Sequence, residues 1–106
     1  MAKYLIEASY TADGVKGLLK DGGSARRDAA TQVMETLGGK VEAFYFSFGS
    51  SDAFVIVDMP DNVSVTAASL AVNSSGAVTA KVVVLMTPEE VDEACSKSPA
   101  YQAPGS

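Results

Sequence analysis

The sequence predicts an α+β domain with an antiparallel four-stranded sheet and helices on one face. Three observations lead there. Four stretches alternate apolar and polar residues, two of them joined by a short turn; the segments between show helical spacing; and Gly, Pro, Asp or Thr punctuates the junctions. At 106 residues the chain has the length of one domain. A compact monomer of its mass exposes about 5,600 Å², against about 15,800 Å² for the extended chain, so a real core is available.

Lys3 to Tyr10 opens the pattern as a strand, with Tyr4, Ile6, Ala8 and Tyr10 on one face and Leu5, Glu7 and Ser9 on the other. Thr11 is an N-cap for a short helix carrying Val15, Leu18 and Leu19. Gly22-Gly23 interrupts it, and Ser24 offers a fresh cap for a second helix whose stripe is Ala30, Val33, Met34 and Leu37. Gly38-Gly39 ends that helix.

Lys40 to Phe48 reads as the second strand, placing Val41, Ala43, Tyr45 and Ser47 against Lys40, Glu42, Phe44, Phe46 and Phe48. Gly49-Ser50-Ser51-Asp52 is a turn, and Ala53 to Met59 the strand that completes an antiparallel hairpin. Pro60-Asp61-Asn62 stops it and caps a helix with a packing stripe at Ala67, Leu70 and Ala71, closed by Asn73 to Gly76. Ala77 to Met86 is the last strand. Thr87-Pro88-Glu89-Glu90 starts a C-terminal helix that ends near Cys95. The domain therefore occupies residues 1–96, and 97–106 form a tail.

This order, with its split first helix and added last one, is the ferredoxin-like βαββαβ arrangement. A sheet covered on one side alternates cleanly between apolar and polar. The hairpin strands do not: whichever face meets the helices, the other keeps either Phe44, Phe46 and Phe48 or Tyr45 and Val41, with Phe54 and Ile56 set against Val55 and Val57. Such a patch marks a partner surface, and sheet-to-sheet self-association is the economical expectation.

Composition excludes much else. With no histidine, no tryptophan and one cysteine, there is no Ser-His-Asp or Cys-His unit, no histidine-ligated haem or zinc, and no intrachain disulfide. A net charge of −5 with a single basic doublet, Arg26-Arg27, argues against nucleic acid. The first apolar stretch, Tyr4-Leu5-Ile6, is too short for a signal peptide or membrane span, so a cytoplasmic location without membrane contact is expected.

The opening KYL, the run GVKGLLKDGGSARRDAATQVMETLGGKVEAFYFSFGSSD and the following FVIVDMPDN closely resemble GYD-domain proteins, from about Lys3 to Asp92. The resemblance implies a small bacterial protein of the dimeric α+β barrel superfamily, whose members pair sheets around a barrel-like interior. It also aligns the family's Gly and Asp with Gly49 and Asp52, leaving Ser51 at the tyrosine position. Related groups include cofactor-free monooxygenases, haem-degrading enzymes and chlorite dismutases; without histidine the haem branch transfers poorly.

The candidate residues follow. Gly49 and Asp52 suit a tight hairpin that needs a flexible residue and a side chain bonding its own backbone. Gly22-Gly23, Ser24, Arg26 and Arg27 offer an anion pocket if one arginine points inward, since the helical stripe extended back one turn from Ala30 lands on both; the alternative, and the commoner arrangement, is two solvent-exposed arginines beside Asp28 and Asp21. Glu7, Glu42 and Lys81 are ionisable residues within strands, suited to acid–base work if they line a space between sheets, where Tyr4, Tyr10 and Tyr45 would hydrogen-bond a ligand. Cys95 stands among Glu89, Glu90, Asp92 and Glu93, which disfavour a thiolate, and the acids lack metal-site spacing, so neither metal nor cofactor is expected. The expectation is a homo-oligomer binding a small molecule between its sheets. The alternatives are a cofactor-free oxidoreductase or isomerase using Glu7, Glu42, Lys81 or Tyr45, and an acidic protein-interaction module.

Overall fold

The computed structural model describes residues 1–106 and contains eight elements. These are β1 (Ala2–Tyr10), α1 (Ala12–Asp21), α2 (Gly23–Thr36), β2 (Lys40–Phe46), β3 (Ala53–Met59), α3 (Asn62–Ser74), β4 (Val78–Leu85) and α4 (Pro88–Lys97). The strands form one sheet in the order β2-β3-β1-β4 with every neighbouring pair antiparallel. The ferredoxin-like arrangement read from the sequence is therefore the fold, split first helix and added last helix included.

Polar caps set most helix starts. Thr11 accepts the Gly14 N–H, Asp61 accepts the Ser64 N–H, and Thr87 forms a reciprocal capping box with Glu90. The cap expected at Ser24 falls on Gly22 instead. Its φ of 86° turns the chain between α1 and α2, and its N–H donates to the Leu18 carbonyl at 2.8 Å, closing one helix as the next begins. Gly38, just beyond α2, also has a positive φ, 82°.

The core lies between one sheet face and the helices. Tyr4 and Ile6 from β1, with Val55, Val57 and Met59 from β3, pack against Met34 of α2 and Val65 and Ala68 of α3. The stripe expected on α3 is its outer one, since Leu70 is 67% exposed while Val65 and Ala68 are buried. α3 is apolar on both sides, so spacing alone does not choose its rotation. Asn73 does: its carboxamide accepts the Ala80 N–H at 2.8 Å and donates to the Ala80 carbonyl at 3.3 Å, pinning the helix to the outer edge of β4. In α1, likewise, Gly14 is buried, whereas Val15 and Leu19 are exposed.

A β-bulge corrects the strand alternation. Val41 pairs with Val57, but the next paired residue is Ala43, opposite Ile56; Glu42 is the extra one. Val41, Phe44 and Phe46 consequently share the helix-covered face, while Ala43 and Tyr45 share the open face. Phe48 lies beyond the strand and is 83% exposed.

Two glycines in α1 give opposite expectations. A Cβ on Gly14 would lie 2.0 Å from the Ala77 carbonyl oxygen, whereas one on Gly17 meets nothing within 4 Å. Gly14→Ala should lose about 1–3 kcal/mol in urea denaturation, and Gly17→Ala should gain about 0.5–1 kcal/mol, because it removes glycine's unfolded-state entropy without a clash.

Candidate functional site

The open face of the sheet is organised in rungs across the strands. Lys40, Asp58, Lys3 and Leu85 form one; Ala43, Ile56, Leu5 and Val83 the next; Tyr45, Phe54, Glu7 and Lys81 the third. The middle rung is wholly apolar, and Tyr45 is 72% and Val83 40% exposed. The first rung is held by charge. Lys3 Nζ donates to Asp58 Oδ1 and to Glu42 Oε2, each at 2.9 Å. Asp58 is only 7% exposed, and a carboxylate so placed requires its cation. The hydrogen bonds to Asp58 and then Glu42 raise the Lys3 pKa above the ordinary lysine value of 10.5.

Four candidate residues thus share this face without meeting at one point. Glu42 is engaged by Lys3; Glu7 and Lys81 stand directly opposite each other across β1 and β4; and Tyr45 lies two strands from Glu7, with Phe54 between.

Behind the sheet, a cavity of about 280 Å³ opens between α2, α3 and the helix-covered face. Its cause is small side chains. Ala29 and Ala30 of α2, Ala68 of α3, and Ala8, Ala53 and Ala80 of the strands all line it, where larger residues would fill a close-packed interior. Tyr10 forms part of the wall, its ring stacked on Phe46 at 6.4 Å, and Phe46 meets Phe44 edge-on at 5.2 Å. The polar lining residues are Arg26 and Ser69.

Arg26 and Tyr10 therefore reach this cavity, and the other two ligand-binding candidates do not. Tyr4 is 1% exposed and its hydroxyl donates to Asn62 Oδ1, which makes it a core residue. Arg27 is exposed, with Nε 3.4 Å from Asp28 Oδ1. Successive helical residues point about 100° apart, so one arginine of the doublet turns inward and its neighbour outward. The alanines were absent from the sequence candidates. Their signal was available in the small residues scattered among positions assigned to buried faces. No group of three Cys, Asp or Glu residues gathers in metal-binding geometry, and no helix is long and apolar enough to cross a membrane.

A family model for the GYD domain matches residues 4–95. The chain belongs to the GYD domain family. No curated protein matches it. In this GYD domain the hairpin residues work differently from the sequence expectation. Gly49 has no left-handed backbone, and a Cβ placed on it would meet only Ser47 Oγ, at 3.9 Å, so neither conformation nor crowding demands glycine there. The Asp52 side chain reaches across to β1, where Oδ2 accepts the Tyr10 N–H at 2.8 Å and the backbone N–H donates to the Ala8 carbonyl at 2.8 Å, while the Asp52 carbonyl closes the hairpin by accepting the Ser47 N–H at 2.7 Å. Asp52 extends the β1–β3 ladder with a carboxylate and fixes Tyr10 at the cavity wall.

Asp52→Ala should cost about 1.5–3 kcal/mol by leaving the Tyr10 N–H without its charged acceptor, and Asp52→Asn should recover most of that in thermal denaturation. Lys3 gives a pH test. Because its folded-state pKa is raised, its contribution is present in full below 10.5 and is lost as pH rises through the folded value. Wild type should accordingly exceed Lys3→Met in stability at neutral pH, with the gap narrowing in strongly alkaline solution.

Proposed function

We propose that this protein is the subunit of a homo-oligomer joined through its open sheet face, and that it binds a small molecule in the space between paired sheets. The apolar centre of that face carries the proposal. Leu5, Ala43, Ile56 and Val83 run across all four strands with Phe54 and Tyr45 beside them, facing away from the helices. The exposed face of a monomeric antiparallel sheet is ordinarily polar.

Surface area supports the same reading. The single chain exposes 7011 Å², about 1,400 Å² above the roughly 5,600 Å² of a compact monomer of its mass. A stable interface takes about 800 Å² from each partner. The excess is large enough to hold one.

The C-terminal arm points the same way. Every residue from Pro88 to Ser106 is exposed, and the radius of gyration is 16.9 Å, against about 13 Å for a compact chain of this length. α4 has ten residues, fewer than the roughly 12–15 at which an isolated helix becomes even marginally stable in water. Its capping box helps, but Val91 and the preceding Met86 remain 47% and 57% exposed. A second copy placed face to face supplies cover for both. In such an assembly the third rung borders the enclosed space, giving a ligand the Glu7 and Lys81 charges and the Tyr45 hydroxyl to bind.

Light scattering at micromolar concentration should give a multiple of the 10.9 kDa chain mass. The double variant Phe54→Lys with Ile56→Glu should fall to the single-chain mass while its circular dichroism stays unchanged. A wild-type monomer under the same conditions would defeat the proposal.

A further inference from the structure

We propose a binding site on the opposite face of the sheet: the cavity between α2, α3 and the strands takes an apolar monocarboxylate whose head group pairs with Arg26. The lining fixes the body of the ligand. Of 17 lining residues 15 are hydrophobic, so only an aliphatic or aromatic group is accommodated without stranding polar atoms.

Size follows from volume. An apolar cavity of about 150 Å³ holds benzene; one of about 280 Å³ therefore takes roughly twice as much, about 10–12 heavy atoms. Arg26, on α2, is the only charged residue of the lining.

Arg26 is the argument for an anion. It is half-buried, and the chain provides it no carboxylate: the three ion pairs are Lys3 with Glu42, Lys3 with Asp58, and Arg27 with Asp28. Its side chain makes no hydrogen bond within the protein either. The adjacent Arg27 has its acid on the next residue, so the doublet contains one guanidinium paired at the surface and one at the cavity that has no protein partner and meets solvent. A guanidinium fork matches a carboxylate in two parallel hydrogen bonds, a geometry that an alcohol or amide does not reproduce. Ser69 is neutral and cannot replace it: its hydroxyl accepts from Asn73 Nδ2 at 3.1 Å and keeps one O–H to donate, a single uncharged hydrogen bond against the two of the guanidinium fork.

This site lies within one chain and does not depend on the sheet-face assembly. Octanoate is a suitable probe, with octan-1-ol as its neutral counterpart, each titrated into the full-length protein by calorimetry and by backbone amide NMR. Octanoate should bind at least about 10-fold tighter than the alcohol, and Arg26→Gln should remove that advantage while leaving alcohol binding unchanged. Ala30→Leu, which fills the cavity, should weaken both ligands. Amide shifts should centre on α2, α3 and β4 around Ala30, Val72 and Ala80, and should persist in the Phe54→Lys, Ile56→Glu double variant. Absence of saturable octanoate binding up to about 1 mM, equal affinity of Arg26→Gln, or shifts centred on Leu5, Ile56 and Val83 would each overturn the proposal.

Discussion

Because β2 carries one more residue than β3 can pair, between Val41 and Ala43, its side chains change face part-way along the strand. The side chains that β2 contributes to each face of the sheet depend on that change. Strict alternation would put Val41 with Tyr45 and separate it from Phe44 and Phe46. With Glu42 extruded, Val41 joins Phe44 and Phe46 over the core, and the tyrosine goes to the open face. Glu42 itself comes within reach of Lys3, which holds the nearly buried Asp58 at the same end of the sheet. A local irregularity thus decides both what the helices cover and what they leave uncovered.

The two faces then pose different packing problems. Toward the helices, Tyr4, Met34, Val57 and Met59 fill one end of the layer, while alanines on both walls leave the other end open around Arg26 and Tyr10. Away from the helices, an apolar rung crosses all four strands, and the C-terminal helix stands clear of the body of the chain. Hydrophobic burial scales with the area removed from water, so this surface represents stabilisation that the single chain leaves unused.

Much of this was legible in the residues. The element order, the caps at Thr11, Asp61 and Thr87, and the α2 stripe all rest on local chemistry, which operates within a few residues and is therefore visible in sequence. The α3 stripe was not, because a helix apolar on both sides has no rotation of its own until Asn73 binds the backbone of Ala80. The role of Asp52 was hidden for a similar reason, since its acceptor oxygen serves Tyr10, 42 positions away in the chain. Glu7 and Lys81 were recognisable as charges within strands, yet only register across β1 and β4 makes them neighbours.

The sequence by itself determined an α+β fold of ferredoxin-like order, a surplus of apolar strand residues, and the absence of histidine chemistry. These are properties of composition and of spacing along the chain. Tertiary structure alone decided which arginine of the doublet turns inward, which aromatics share a face, and where small side chains add up to a cavity. Those outcomes depend on a bulge, on one helix rotation and on pairings between distant segments, and no local pattern specifies how distant segments meet.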